Sequence, residues 1–138
     1  MLRLACAQVL ALNGRENEAI VMLDALPVDA SDNFFFQLGR FYGQSLRRNR
    51  DAALVCVSDE LKTAASSDLN YAWIMSQGYA LIDEKQQALQ WLSVAVERGF
   101  INFPLLSHLD PFLENIRKEP EFASLMESTR ERWEAFEV

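Results

Sequence analysis

The chain is poor in the residues that hold metals and cofactors. Its 138 residues include one histidine and two cysteines. The single His108 excludes a histidine pair around a metal ion, and no CxxC pair, HExxH run or glycine-rich phosphate loop occurs. We therefore expect no cofactor, no metal site and no catalytic residue, and hence a protein that is not an enzyme.

Glycine and proline are scarce, at 5 and 4 residues, whereas half of the chain is hydrophobic. This composition excludes a disordered segment and indicates a chain that can bury a core. No apolar run approaches the roughly 18 residues that a membrane span needs. The net charge of -7 disfavours nucleic acid as a partner, because phosphates need a basic surface. We expect a cytoplasmic protein in which Cys6 and Cys56 are buried, reduced thiols, the alternative being a disulfide between them.

Three segments of the chain resemble one another. They are ENEAIVML (16–23), RDAALVCV (50–57) and KQQALQWL (85–92). Their alanines, Ala19, Ala53 and Ala88, are separated by 34 and 35 residues, and each stands where a second helix must approach closely. A further helical pattern precedes each segment, and the turn signals NGRE (13–16) and IDEK (82–85) separate the paired patterns. The period therefore predicts helical hairpins.

The segment FFFQLGRFY (34–42) has two interpretations. Aromatic runs favour a buried strand. However, Phe35, Leu38, Gly39 and Tyr42 share one face only on a helix, which this spacing predicts.

The pattern Phe35-x2-Leu38-Gly39-x2-Tyr42 resembles the first helix of the tetratricopeptide repeat (TPR) family. The resemblance implies an all-α fold, a right-handed superhelical stack of helix–turn–helix hairpins with C-terminal capping helices. It implies a single TPR-like domain over residues 1–138. Its repeats would cover approximately residues 1–28, 32–67 and 69–101, followed by a capping tail at 102–138.

The register of the second repeat depends on its tyrosine. In the third repeat Ala88 follows Tyr79 by nine residues, but Ala53 follows Tyr42 by eleven. This difference predicts two extra residues in the turn of the second hairpin. With that insertion, one repeat position holds Gln8, Arg40 and Gln77.

The tail at 91–138 resembles the C-terminal end of repeat regions in bacterial multidomain regulators, among them serine/threonine kinases, nucleotide cyclases and winged-helix regulators. The shared features are ERGF, LDPFL and PEF. Asp110 is a good N-cap before Pro111, and Glu119-Pro120 repeats that start signal. The helix that follows carries an apolar stripe, which either covers the last hairpin or docks on a partner domain. The stripe contains Phe122, Leu125, Met126, Thr129, Trp133 and Phe136.

In the TPR family the first helices of successive hairpins line a concave groove for peptides or partner helices. The resemblance implies that such a groove is lined here by Leu4, Gln8, Phe36, Arg40, Gln44, Trp73, Gln77 and Leu81. Glutamines pair with peptide backbone and Arg40 suits a carboxylate. The alternative is that Phe36 and Trp73 pack between hairpins and that Arg40 is only solvated.

Two functions follow from these patterns. The first is a non-catalytic interaction module that binds a peptide or partner domain within a larger bacterial regulatory protein. The alternative is a self-association module that dimerises its parent regulator through an uncovered edge at Leu2, Leu4 and Cys6. The same edge also fits further repeats before Met1.

Overall fold

The computed structural model of the chain describes residues 2–27 and 33–136, and within these ranges every regular element is a helix. The prediction of an all-α fold is confirmed. The chain divides into two compact units, residues 1–64 and 65–138, at a point close to the predicted end of the second repeat. The predicted junction of the first two repeats, 28–32, and the last two residues of the predicted tail lie outside the described residues.

The first unit is built from two hairpins in sequence. Helix α1 covers Leu2–Leu12, α2 covers Glu16–Asp24, α3 covers Phe34–Leu46 and α4 covers Arg50–Val55. Helix α1 packs against α2, α2 against α3, and α3 against α4. Helix α5, Asp59–Ser66, runs across the boundary between the units.

The second unit is built around one long hairpin. Helices α6, Leu69–Leu81, and α7, Lys85–Glu97, pack against each other, and a 3₁₀ segment at Pro111–Ile116 contacts both. A π-helical turn at Leu105–Leu109 precedes that segment, and α8, Pro120–Phe136, packs on α7. The apolar stripe of α8 is buried at Phe122, Met126 and Thr129, whereas Phe136 at its end is 79% exposed.

The phenylalanine-rich segment forms the start of α3, as its helical spacing predicted. The Asn33 side chain caps this helix by accepting the backbone N–H of Phe35 at 2.9 Å. Leu38, Gly39 and Tyr42 are buried, whereas Phe35 is half-buried. This segment forms a helix and not a strand because its buried side chains recur at intervals of three and four residues.

The three hairpins turn in the same way. Three residues separate the paired helices in each, and the middle residue has a left-handed φ: +80° at Gly14, +58° at Arg48 and +62° at Asp83. The next backbone N–H donates to the carbonyl five residues earlier, at 2.9 Å each time. This is the Schellman geometry of a helix C-terminus. These turns recur at the same 34- and 35-residue intervals as the alanines.

The shared turn shows that the prediction of two extra residues in the second hairpin was wrong. Counted from the turns, the position of Gln8 and Gln77 is held in α3 by Tyr42, not by Arg40. Two residues along a helix correspond to a rotation of about 200°, so Arg40 lies on nearly the opposite face. The predicted ladder of Gln8, Arg40 and Gln77 is therefore wrong.

The cysteines form no disulfide. Both are free thiols, and Cys6 is exposed, contrary to the expectation that it would be buried, while Cys56 is half-buried. Across the residues that the structure describes, no helix combines the length and the apolar character that crossing a membrane requires.

Candidate functional site

The first unit contains a cavity of about 300 Å³ beside α2 and α3. Two of the predicted partner-binding residues, Arg40 and Gln44, line it. Its apolar lining comes from Leu23 and Leu26, next to Gly39 and Gly43. Three further polar side chains complete it: Asp24, Arg47 and Cys56.

Two glycines one turn apart allow α2 to approach α3 beside this cavity. A Cβ atom on Gly39 would overlap Cδ1 of Leu26, and one on Gly43 would meet Cβ of Leu23 at 3.5 Å. The Leu38-Gly39 pair in the sequence therefore marks a position where a side chain would displace Leu26. The absent side chains leave Arg40 and Gln44 flanking the contact between the helices.

The two arginines of the cavity have different partners. Arg47 binds Asp24 through both of its terminal nitrogens, with Nη1 at 3.0 Å from Oδ1, and this ion pair raises the pKa of Arg47. Arg40 donates from Nη2 to the carbonyl of Pro27 at 3.0 Å. The described lining of the cavity thus holds two guanidinium groups and one carboxylate. Guanidinium groups bind anionic groups through paired N–H donors.

Cys56 contributes a neutral thiol to the cavity. Its Sγ donates to the carbonyl of Ala52 at 3.3 Å. Burial raises the pKa of Cys56, and the nearby charge of Arg40 opposes that rise without cancelling it. A thiol with a raised pKa is a poor nucleophile at neutral pH, so this side chain acts as a small, weakly polar wall.

In the second unit, two other predicted partner-binding residues converge on a buried carboxylate. Trp73 donates from Nε1 to Oδ2 of Asp110 at 2.8 Å, and Gln77 donates from Nε2 to the same oxygen at 2.9 Å. Oδ1 accepts the backbone N–H of Phe112 at 2.9 Å, which confirms Asp110 as an N-cap. Gln77 and Asp110 have no exposed surface, and Trp73 is 8% exposed.

The Asp110 cluster holds the 3₁₀ segment on α6. Burial raises the pKa of Asp110, while the hydrogen bonds from Gln77, Phe112 and Trp73 and the charge of Arg117 lower it. The balance is a carboxyl that is easier to protonate than an ordinary aspartic acid. As folded, Trp73 and Gln77 serve this internal contact, and only 8% of the Trp73 surface is left exposed.

The remaining predicted partner-binding residues fall into two groups. Leu4, Gln8 and Leu81 are buried. Phe36 is half-exposed. By the turn-based register, Leu4 and Trp73 share a repeat position, and Phe36, Arg40 and Gln44 belong to the other face of the first helix. The eight predicted partner-binding residues therefore come from two faces of the first helices, and only the face with Phe36, Arg40 and Gln44 is accessible.

Sequence reasoning missed Asp24, Arg47 and Cys56 as neighbours of Arg40. Arg47 was visible only as part of the basic run RRNR (47–50). Its partner Asp24 lies 23 residues earlier, and nothing local in the sequence connects the two.

Comparison with protein-family models, with curated proteins and with solved structures gave no match to this chain.

Proposed function

We propose that this chain is a non-catalytic protein-interaction module of TPR-like hairpins, part of a larger cytoplasmic bacterial regulatory protein. It binds an acidic peptide or an acidic segment of a partner domain in the cavity beside α2 and α3. The observation that carries the proposal is that Arg40 and Gln44, both half-buried on α3, line one cavity beside the apolar side chains of Leu23 and Leu26. Guanidinium groups bind carboxylates through paired N–H donors.

The chemistry of the cavity suits a short acidic segment with an apolar neighbour. Arg40 supplies the charge, and the side-chain amide of Gln44 offers both a donor and an acceptor to a peptide backbone. Leu23 and Leu26 supply apolar wall. A volume of about 300 Å³ is at the low end for ligand sites, so one or two side chains of a partner fit it, not a large cofactor.

The test uses two fluorescein-labelled peptides of equal length, oligo-glutamate and oligo-glutamine, with binding followed by fluorescence anisotropy. We expect the acidic peptide to bind more tightly, and Arg40→Glu to weaken it by about tenfold or more. The matched control is Arg50→Glu, an exposed arginine outside the cavity that changes the net charge equally. Equal binding of both peptides, or equal loss in both variants, would refute the site.

The second candidate function is self-association that dimerises the parent regulator. Exposed apolar side chains on the first hairpin favour it: Leu2 is 78% exposed, Val9 59% and Val21 69%. Sedimentation equilibrium over the micromolar to millimolar range tests it, and a mass of 15.8 kDa at every concentration would exclude it.

A further inference from the structure

The outer side of the first hairpin is an apolar surface with no partner among the described residues. Six large apolar side chains in the described ranges are strongly exposed, and three of them lie on α1 and α2. A groove of about 550 Å³ runs between these two helices. Its apolar lining is Leu10, Val21, Met22 and Ala25. Of these three, Val21 lines the groove, beside the half-buried Leu10 and Met22, and an apolar groove of this size indicates an interaction site.

The charges of this groove lie at opposite ends of α2. Arg3 is at the C-terminal end, where its Nη1 donates to the carbonyl of Ala25 at 3.2 Å. Glu18 is near the N-terminal end, seven residues before Ala25 and so about 10 Å away along the helix axis. Val21 and Met22 lie midway between the two charges. The groove is therefore positive at one end, apolar in its middle and negative at the other end.

This distribution is self-complementary under a two-fold rotation. A two-fold axis through the midpoint of Val21 and Met22 sets the α2 helices of two copies antiparallel. Arg3 of each copy then meets Glu18 of the other, and the apolar middles meet each other. Glu18 already pairs with Arg15 through both carboxylate oxygens: Oε1 accepts from Nε at 3.0 Å, and Oε2 accepts from Nη2. A carboxylate has about four lone-pair sites, so a second guanidinium can bind it.

We propose that two copies of this chain associate through α2, antiparallel, with Val21 at the centre and two equivalent Arg3–Glu18 pairs at the rim. This inference rests on the self-association candidate and adds the surface, the symmetry and the pairing. It is independent of the cavity around Arg40, which lies on the side of α2 that faces α3.

The first experiment measures the dimer dissociation constant by sedimentation equilibrium for the full chain and for Val21→Glu. We expect the substitution to raise this constant by about tenfold or more, because it places two carboxylates at the centre of the interface. The control is Val55→Glu, which introduces the same charge at a valine that is 86% exposed on α4. The control should leave the dissociation constant unchanged.

The second experiment tests the symmetry. Arg3→Glu alone or Glu18→Arg alone faces like charges across the axis and should weaken its own dimer. An equimolar mixture of the two variants forms a heterodimer in which both pairs are opposite in charge, so association should return. Circular dichroism of each variant checks that the helices remain folded.

The outcomes separate the two levels of the inference. A dimer that responds equally to Val21→Glu and Val55→Glu, or variants that do not rescue each other on mixing, would overturn the α2 surface and leave self-association standing. A chain that stays monomeric throughout the concentration range would overturn both. Neither result bears on peptide binding at Arg40.

Discussion

Replacing Asp110 tests the buried cluster in the second unit. Alanine at this position removes the acceptor for three donors: Nε1 of Trp73, Nε2 of Gln77 and the backbone N–H of Phe112. Each buried donor left without a partner costs about 1–3 kcal/mol. We therefore expect Asp110→Ala to lower the free energy of unfolding by about 3 kcal/mol or more.

Asparagine at the same position should cost less. Its amide oxygen can take the place of Oδ2 and accept from both Trp73 and Gln77. Its amide nitrogen then faces the N–H of Phe112, so one buried donor loses its acceptor. We expect Asp110→Asn to cost about 1–3 kcal/mol, less than the alanine variant.

The assay is urea denaturation followed by tryptophan fluorescence. All three tryptophans, Trp73, Trp91 and Trp133, lie in residues 65–138, so the signal reports on the second unit. The matched control is Asp68→Ala. Asp68 also caps a helix, but it is only half-buried, and its cap consists of hydrogen bonds from the backbone N–H groups of Asn70 and Tyr71. Loss of such a cap costs about 1 kcal/mol. Equal destabilisation by Asp110→Ala and Asp68→Ala would refute the energetic role of the Trp73 and Gln77 contacts.

The pH dependence follows from the raised pKa of Asp110. The folded unit holds its proton to a higher pH than the unfolded chain does. The contribution of this group to stability is therefore complete below the ordinary aspartate pKa of about 3.9 and declines as pH rises through the raised value. The advantage of the wild type over Asp110→Asn should narrow as pH rises through this window. An advantage that widens instead would mean that hydrogen bonding outweighs burial at this carboxylate.

Three further substitutions test the hairpin geometry. Gly43→Ala should stabilise the first unit by up to about 1 kcal/mol, because alanine favours a helix and its Cβ meets Leu23 at an ordinary distance. Gly39→Ala should gain less, because its Cβ would displace Cδ1 of Leu26. Thermal unfolding by circular dichroism compares the two, and a gain at Gly39 equal to that at Gly43 would contradict the close packing of Leu26 on α3. Asp83→Gly should raise the stability of the second unit by about 0.5–1 kcal/mol, because Asp83 has a φ of +62° that glycine adopts without strain. Tryptophan fluorescence in urea measures it, and a loss of stability would show that the Asp83 side chain matters more than its backbone.

The hairpins were predictable because their signal is local. Ala19, Ala53 and Ala88 are completely buried, as their 34- and 35-residue period predicted. A small residue is required wherever two helices approach closely, and each repeat has an alanine at that one position.

The register of the second repeat was not predictable from its tyrosine. Tyr42 and Tyr79 look equivalent in the sequence, yet the turns place them two positions apart. A large aromatic side chain fills a buried space from more than one position of a helix, so its identity does not fix the register. The turns do fix it. Gly14 and Asp83 are residue types that adopt a left-handed φ readily, but Arg48, which sets the register of the second hairpin, is not.

Of the hydrogen bonds to Asp110, only the one from its close sequence neighbour was predictable. The pair Asp110-Pro111 indicated an N-cap, and Asp110 does accept the N–H of Phe112. Its other two donors come from residues 37 and 33 positions earlier in the chain. Nothing in a single sequence connects a tryptophan and a glutamine to an aspartate at that distance.

A slip of two residues has a functional consequence here, because the faces of these helices differ in accessibility. From Ala72 to Ile82 every residue of α6 and its C-cap is buried, so no choice of register gives that helix a polar recognition face in the folded chain. Helix α3 is different, since Arg40 and Gln44 lie one turn apart and are only half-buried. Of these two helices, only α3 can therefore supply a polar recognition face, with Arg40 as its charged side chain.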